Sequence, residues 1–265
     1  GDTLTGTYSG VFNNANVGNG KTVTITSSYG GADVNNYTIT DQASTTANVT
    51  TKSLTATASA ANKVYDASNT ATTTLTLSGF IGTETVTSTN SSTFNNKNVG
   101  TGKTVTVNSI TLANGTNGGL ASNYSIATGQ TTTANVTAKA LTVSGITASN
   151  KTYDANTTAT LNAGSVTYTG KIDGDDFSGT YTGAFSDKNV GTGKTVTITP
   201  SYTGADVGNY SVTDHSTVTA NITAKALSVS GITASNKVYD GTTSATLSTG
   251  AVVYGGLVSG DTLTG

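Results

Sequence analysis

The sequence predicts an all-β chain built as a tandem array, and three observations carry that expectation. Landmark motifs return in a fixed order about every 87 residues. Short segments alternate apolar and polar side chains with a period of two. Thr, Val, Ser, Gly and Asn dominate a composition that holds one Pro, 32 Gly, and no Cys, Met or Trp.

The repeat defines the modules. Asn62-Lys63-Val64-Tyr65-Asp66 returns as Asn150-Lys151-Thr152-Tyr153-Asp154 and as Asn236-Lys237-Val238-Tyr239-Asp240. Asn-Val-Gly-x-Gly-Lys-Thr-Val-Thr begins at Asn16, Asn98 and Asn189. Asn-Tyr pairs end in Tyr37, Tyr124 and Tyr210, and Ala-Asn-Val/Ile-Thr begins at Ala47, Ala134 and Ala220. These landmarks divide the chain into residues 1–53 (the back of a repeat), 54–140 and 141–226 (complete repeats), and 227–265 (the front of a repeat). Gly1-Asp2-Thr3-Leu4-Thr5-Gly6 is identical to the last six residues, so the sequence closes on itself after three modules. On that reading residues 227–265 complete residues 1–53 of a following unit. With no Met in the chain, Gly1 is expected to open a mature or internal segment.

Strand signals recur inside each module. Lys103-Thr104-Val105-Thr106-Val107 and Lys194-Thr195-Val196-Thr197-Ile198 place Val and Ile on one face and Thr or Lys on the other. Leu141-Thr142-Val143-Ser144 and Leu227-Ser228-Val229-Ser230 do the same at module starts. Each module is therefore expected to be an antiparallel sandwich or grasp-like sheet, the modules strung end to end in an elongated array. The segment from Ala220 to Leu227 has neither Pro nor Gly and predicts a stiff junction. Asn114-Gly115-Thr116-Asn117-Gly118-Gly119 is read as a lengthened hairpin loop, and Gly191-Thr192-Gly193-Lys194 as a hairpin turn rather than a phosphate loop, since a strand follows it.

Charge narrows the function classes. Twelve Lys and no Arg stand against 14 acidic residues, a net charge of -2 without a basic stripe for nucleic acid. No run of 18 apolar residues predicts a membrane span. Leu, Ile, Val and Phe make up about 19% of the chain, so each module has a small core and depends on backbone ladders and on neighbouring modules.

Few residues suggest chemistry. His215 is the single histidine and is read as an exposed structural position. Asp173, Asp175 and Asp176 could offer oxygen ligands to calcium, yet the loop lacks the other spaced carboxylates, and a solvated turn is the favoured reading. Lys63, Lys151 and Lys237 recur at one position. In a strand Lys63 would share a face with Tyr65 while Asp66 points to the other. The simpler reading lays the lysine stem across the tyrosine. The sharper one is a Lys–Asn cross-link, with Asn150 or Asn209 giving the amide and Asp154 the acid. No catalytic or cofactor-binding residue is expected.

Residues 237–243 (KVYDGTT), followed by Gly255-Gly256-Leu257-Val258-Ser259-Gly260-Asp261, resemble the YDG-type, mostly-β glycine-rich repeats of bacterial filamentous-haemagglutinin-like surface exoproteins. Two copies depart from the pattern with Ala67 and Ala155 after Tyr-Asp, and one has Gly82-Thr83 in place of Gly-Asp. The resemblance implies a stalk or fibre region of a large secreted adhesin or filament, at the cell surface or outside the cell. Its partners would be neighbouring repeats, head-to-tail copies, or laterally associated chains. A multivalent glycan-binding array, with Tyr29, Tyr202 and Tyr254 stacking on sugars, is the alternative.

Overall fold

A computed structural model describes residues 1–263, which leaves the end of the second Gly-Asp-Thr-Leu-Thr-Gly copy outside the described residues. The chain is all-β, with three single 3-10 turns, and forms two compact units, Gly1–Thr137 and a second from Ala138 onward.

In the first unit, strands β1 (Thr5–Phe12), β2 (Gly18–Gly30) and β3 (Ser44–Val49) make one antiparallel sheet in that order. Two residues later the first complete module begins with β4 (Lys52–Ala60), β5 (Lys63–Val64), β6 (Thr70–Ala71), β7 (Thr73–Ser78), β8 (Val86–Phe94), β9 (Gly100–Asn114), β10 (Tyr124–Ile126) and β11 (Thr131–Thr137). These form a small sheet, β10-β4-β7, and a large one, β5-β11-β9-β8-β6. Leu54, Val86 and Tyr124 are buried, with Leu77, Phe80, Leu112 and Ile126 packed on them. Val105 and Val107 on β9 are fully buried, as the alternation predicts.

The second unit repeats the plan with β12 (Lys139–Ser144), β13 (Thr147–Ala148), β14 (Lys151–Thr152), β15 (Thr158–Ala159), β16 (Leu161–Asn162), β17 (Thr167–Thr169), β18 (Ser178–Phe185), β19 (Gly191–Thr203), β20 (Tyr210–Thr213) and β21 (Thr217–Thr223). Its sheets are β17-β12-β20, β13-β16 and β14-β21-β19-β18-β15. The single strand β4 corresponds here to the broken pair β12 and β13. This module has one extra residue before its Asn-Lys motif, and Gly145 at φ 85° takes it up. Among the described residues of the final stretch, the strands are β22 (Ser228–Ser230), β23 (Thr233–Ala234), β24 (Leu247–Ser248) and β25 (Val253–Gly255).

Three expectations change. The modules are not purely antiparallel: β10 runs parallel to β4 and β11 parallel to β5, as β20 does to β12 and β21 to β14. The Gly-x-Gly-Lys segment is not a hairpin turn. Strand β19 already begins at Gly191, and its register on β21 slips between Gly191 and Lys194, a bulge that Gly193 allows at φ 59°. The 114–119 insertion follows β9 and leads to β10 in the other sheet, so it is a crossover between sheets; its Thr116 N–H and Asn117 amide bond Thr85 Oγ1 and the Thr83 carbonyl.

Candidate functional site: the knots that hold the modules

The landmark motifs meet in space. The backbone N–H of Asn221 donates to Asn150 Oδ1 at 2.7 Å, while Asn221 Oδ1 accepts from the N–H of Gly193 at 2.7 Å. Asn135 does the same with Asn62 at 2.7 Å and Gly102 at 2.8 Å. Asn48 takes the Gly20 N–H at 2.8 Å. One asparagine thus ties the end of a module both to its Asn-Lys start and to its bulge. A bulge leaves an N–H outside the ladder, and the asparagine oxygen supplies the acceptor that ladder does not.

The repeated lysines sit in cages of oxygen. Lys63 Nζ donates to Asp66 Oδ1 at 2.7 Å and to the carbonyls of Ser68 and Thr70 at 2.9 and 3.0 Å. Lys151 Nζ contacts Asp154 Oδ1 at 2.7 Å, the Asn156 carbonyl at 2.8 Å and Asn156 Oδ1 at 2.9 Å. Lys237 meets Asp240 and the Thr242 carbonyl at 2.9 and 2.8 Å. The expected strand geometry fails here because β5 ends at Val64. With the strand over, Asp66 meets its own lysine, and the turn through Ala67 at φ 62° brings the Ser68 and Thr70 carbonyls to the same ammonium. The lysine beside Asp154 holds that carboxyl below the usual carboxylate range, and Lys237 does the same to Asp240. Above the stems, Lys63 Nζ lies 5.7 Å from the Phe94 ring and Lys151 Nζ 5.6 Å from Phe185. For a cross-link, the amide nearest Lys151 belongs to Asn156; Asn150 serves Asn221 and Asn209 Nδ2 donates to Asp206.

A second lysine series escaped the sequence reading although it lies inside the Gly-x-Gly-Lys landmark. Lys21 Nζ donates to Asn14 Oδ1 at 2.7 Å, Lys103 to Asn96 Oδ1 at 2.5 Å, and Lys194 to Asp187 Oδ1 at 2.5 Å. Burial pushes the Lys103 ammonium down from its usual pKa. Each pair staples the loop that joins two long strands.

A third recurring feature joins the Asn-Tyr landmark to the acidic turn. Tyr37 donates to Asp2 at 2.5 Å, Tyr124 to Glu84 at 2.5 Å, and Tyr210 to Asp175 at 2.5 Å. The Tyr124 hydroxyl also accepts the Ile81 N–H at 3.2 Å, and the Tyr210 hydroxyl the Ile172 N–H at 2.9 Å. This explains why Glu84 can stand where other copies carry Asp.

The calcium candidates spread apart. Asp175 is buried against Tyr210, Asp176 Oδ2 accepts the Ala205 N–H at 3.0 Å, and Asp173 is exposed. Among the described residues no group of three or more His, Asp or Glu side chains is placed to hold a metal. His215 is half-buried in the connection between β20 and β21, not exposed as expected.

Module joints show within each unit. Val17 N–H donates to Asn123 Oδ1 at 2.9 Å, and Asn123 Nδ2 donates to Asn16 Oδ1 at 3.0 Å. The Asn-Val-Gly loop of one repeat is thereby held by the Asn-Tyr pair of the next. In the second unit Tyr153 OH donates to Asp261 Oδ1 at 3.0 Å, beside a cleft lined by Val190, Leu227, Leu257 and Val258.

Comparison with curated proteins and with solved structures returns no match. The family model of the YDG domain matches residues 1–47, 50–134, 137–219 and 223–265, a tiling that starts each repeat about four residues earlier than the sequence landmarks do. Its matches cover nearly the whole chain, and the chain belongs to the YDG domain family, with four matches in tandem.

Proposed function

We propose that this chain is a load-bearing, non-catalytic spacer, the stalk or fibre region of a large secreted bacterial surface protein such as an adhesin or extracellular filament. The observation that carries the reading is the parallel pairing of two strands near the start of each complete module with its last two strands. Strand β4 lies parallel to β10, and β5 parallel to the closing strand β11; β12 with β20 and β14 with β21 repeat the arrangement. Tension applied along the chain pulls the early strand of each such pair one way and the late strand the other. The hydrogen bonds between them are then loaded together, in shear, and cannot open one at a time. The bonds of Asn62 to Asn135 and Asn150 to Asn221 reinforce the same seam.

The glycan-binding alternative asks for free aromatic faces. Tyr202 packs its ring 5.2 Å from Phe177 and commits its hydroxyl to Asp214 at 2.5 Å, while Tyr29 and Tyr254 are half-buried. We therefore favour the spacer.

Single-molecule stretching between the termini tests it. The chain should show two discrete unfolding events, one per complete module, each releasing roughly 30 nm of contour at about 3.5 Å per residue. Pulling the first complete module through cysteine handles at Thr83 and Asn117 would instead unzip β8 from β9, at lower force. Equal forces in both directions, or no discrete events between the termini, would overturn the reading.

A further inference from the structure

The first complete module is open along one side. Strand β7 is the edge of the small sheet, and β8 lies next to the edge of the large one, beside the short β6. Strand β6 pairs with β8 at Thr93 and Ser92 alone. Residues 86–91 therefore have β9 on one side and, among the described residues, no strand on the other. The two strands meet where Thr73 Oγ1 donates to Asn90 Oδ1 at 2.6 Å. Beyond that contact runs a groove of about 440 Å³, its lining including Leu75, Leu77, Phe80, Val86 and Ser88 and no charged side chain. An apolar cavity of about 150 Å³ already holds a benzene ring, so this groove has room for a ring and its attachment.

The second complete module fills the corresponding space with its own rings. The registers of β4 on β7 and of β12 on β17 align Leu77 with Tyr168. Counting back from Phe94 and Phe185 aligns Val86 with Phe177 and Asn90 with Tyr181. Leu112 takes the place of Tyr202, since they face Ser88 and Gly179. Ring centroids of Tyr168, Tyr202 and Tyr210 lie 5.3, 5.2 and 5.5 Å from that of Phe177, and the Tyr168 and Tyr181 hydroxyls meet at 3.1 Å. In the first module Phe80, in place of Lys171, returns a single ring, which packs 5.8 Å from Tyr124. The remaining side chains are smaller than the rings they replace, and the groove is the space that difference leaves.

The backbone beside the groove is equally receptive. Strand β8 reads Val-Thr-Ser-Thr-Asn-Ser-Ser-Thr-Phe and carries none of the Lys or Pro that guard a free edge. Val86, Ser88 and Asn90 are its inward side chains. A strand added beside it would alternate in the same way and drop every second side chain into the groove.

We propose that this groove receives an extended, uncharged peptide of a partner protein, which pairs its backbone with residues 86–91 and sets an aromatic side chain over Leu75, Leu77 and Val86. Main-chain bonds supply affinity and the ring supplies selection. A lining without charge selects against charged segments, which would lose their hydration there unpaired. The second module, its space already filled, does not bind. The proposal is independent of the spacer reading, because it concerns the flank of one module and not the path of tension.

The test is a nuclear magnetic resonance titration of the isotope-labelled full chain with the capped peptide Thr-Tyr-Thr-Tyr-Thr, against Thr-Ala-Thr-Ala-Thr as control. The Tyr peptide should shift the methyl signals of Leu75, Leu77 and Val86 and the amides of residues 86–91, and should slow hydrogen exchange at those amides. Tyr168, Phe177 and the amides of residues 178–182 should not respond. The Ala peptide should bind about tenfold more weakly or less, the loss expected for one buried ring. Leu77→Tyr, which installs the second module's residue, should weaken the Tyr peptide by a similar factor. Ser88→Lys leaves the aliphatic floor intact and puts a charge in the groove, so it should block binding even where Leu77→Tyr perturbs the fold. No response to the Tyr peptide, an equal response to the Ala peptide or in the second module, or undiminished binding by either folded variant would overturn the proposal. So would p-cresol reproducing the whole response, which would put a small molecule there, or the same shifts on concentrating the chain alone, which would put a second copy there.

Discussion

The backbone N–H of Asn221 and the side-chain oxygen of Asn150 stand 2.7 Å apart, although 71 residues separate them in sequence. The bond sews the last strand of a module to its opening motif. Replacing Asn150 by Ala should lower the stability of that module by about 1 kcal/mol, the usual net worth of such a bond at a solvent-accessible site. Asn221→Ala keeps the backbone N–H that donates to Asn150 and removes instead the side-chain acceptor for Gly193, so it should cost a similar amount. The double variant should fall short of the sum, since both changes cut one network. Thermal unfolding monitored by far-ultraviolet circular dichroism reads all three. Strict additivity would mean that the two bonds act independently.

Ala67 and Ala155 occupy the left-handed region at φ 62° and 65°, where the fourth repeat has Gly241 at φ 69°. A side chain there costs roughly 1–2 kcal/mol, partly offset by the extra freedom that glycine has in the unfolded chain. Ala67→Gly and Ala155→Gly should therefore each stabilise their module, by up to about 1 kcal/mol. A fall in either calorimetric midpoint would show that the Ala methyl makes a packing contribution larger than its backbone strain.

Tyr124 is 5% exposed, and its hydroxyl bridges Glu84 and the Ile81 N–H. Tyr124→Phe keeps the ring and deletes the bridge, so it should cost about 1.5–3 kcal/mol, the range for hydrogen bonds to charged groups. Tyr37 makes the matching bond to Asp2 at 50% exposure, where water can replace it. Tyr37→Phe should change stability little. Similar losses at both positions would argue that the bond, not its burial, sets the effect.

Periodicity made the modules and most of their long strands legible, because the alternation from Lys103 to Val107 reports a half-buried strand directly. The parallel closure of β11 on β5 was not legible. It depends on a contact between residues more than 70 apart, and a two-residue strand has no periodicity to detect. The lysine cage was misread for a local reason. Expecting β5 to run on through Asp66 put the carboxylate on the wrong face, whereas the strand ends at Val64, and the left-handed Ala67, a residue type that seldom takes that conformation, folds the following carbonyls onto the same lysine. The Asn and Lys residues of the knots were visible as landmarks. What the sequence withheld was which landmarks meet.

The staple at Lys194 offers a test of charge against hydrogen bonding, because the repeats already contain both versions. Lys194 binds Asp187, while Lys21 and Lys103 bind Asn14 and Asn96 at the same position. The lysine contact and the Asn189 N–H hold the Asp187 carboxyl below its ordinary value. A carboxyl depressed in the folded state adds stability above its unfolded pKa of about 3.9, and that contribution disappears as pH falls through the lower folded value. Asp154 and Asp240 contribute in the same direction through Lys151 and Lys237. Thermal midpoints should thus be level near neutral pH and decline below about pH 4. Asp187→Asn should nearly keep the neutral-pH midpoint, since the amide oxygen can take the same lysine bond, and should flatten the acid decline. Asp187 Cγ chemical shifts followed by NMR across that range supply the direct reading. An ordinary carboxylate titration at Asp187 would show that Lys194 is held by geometry alone, with no charge coupling to the fold.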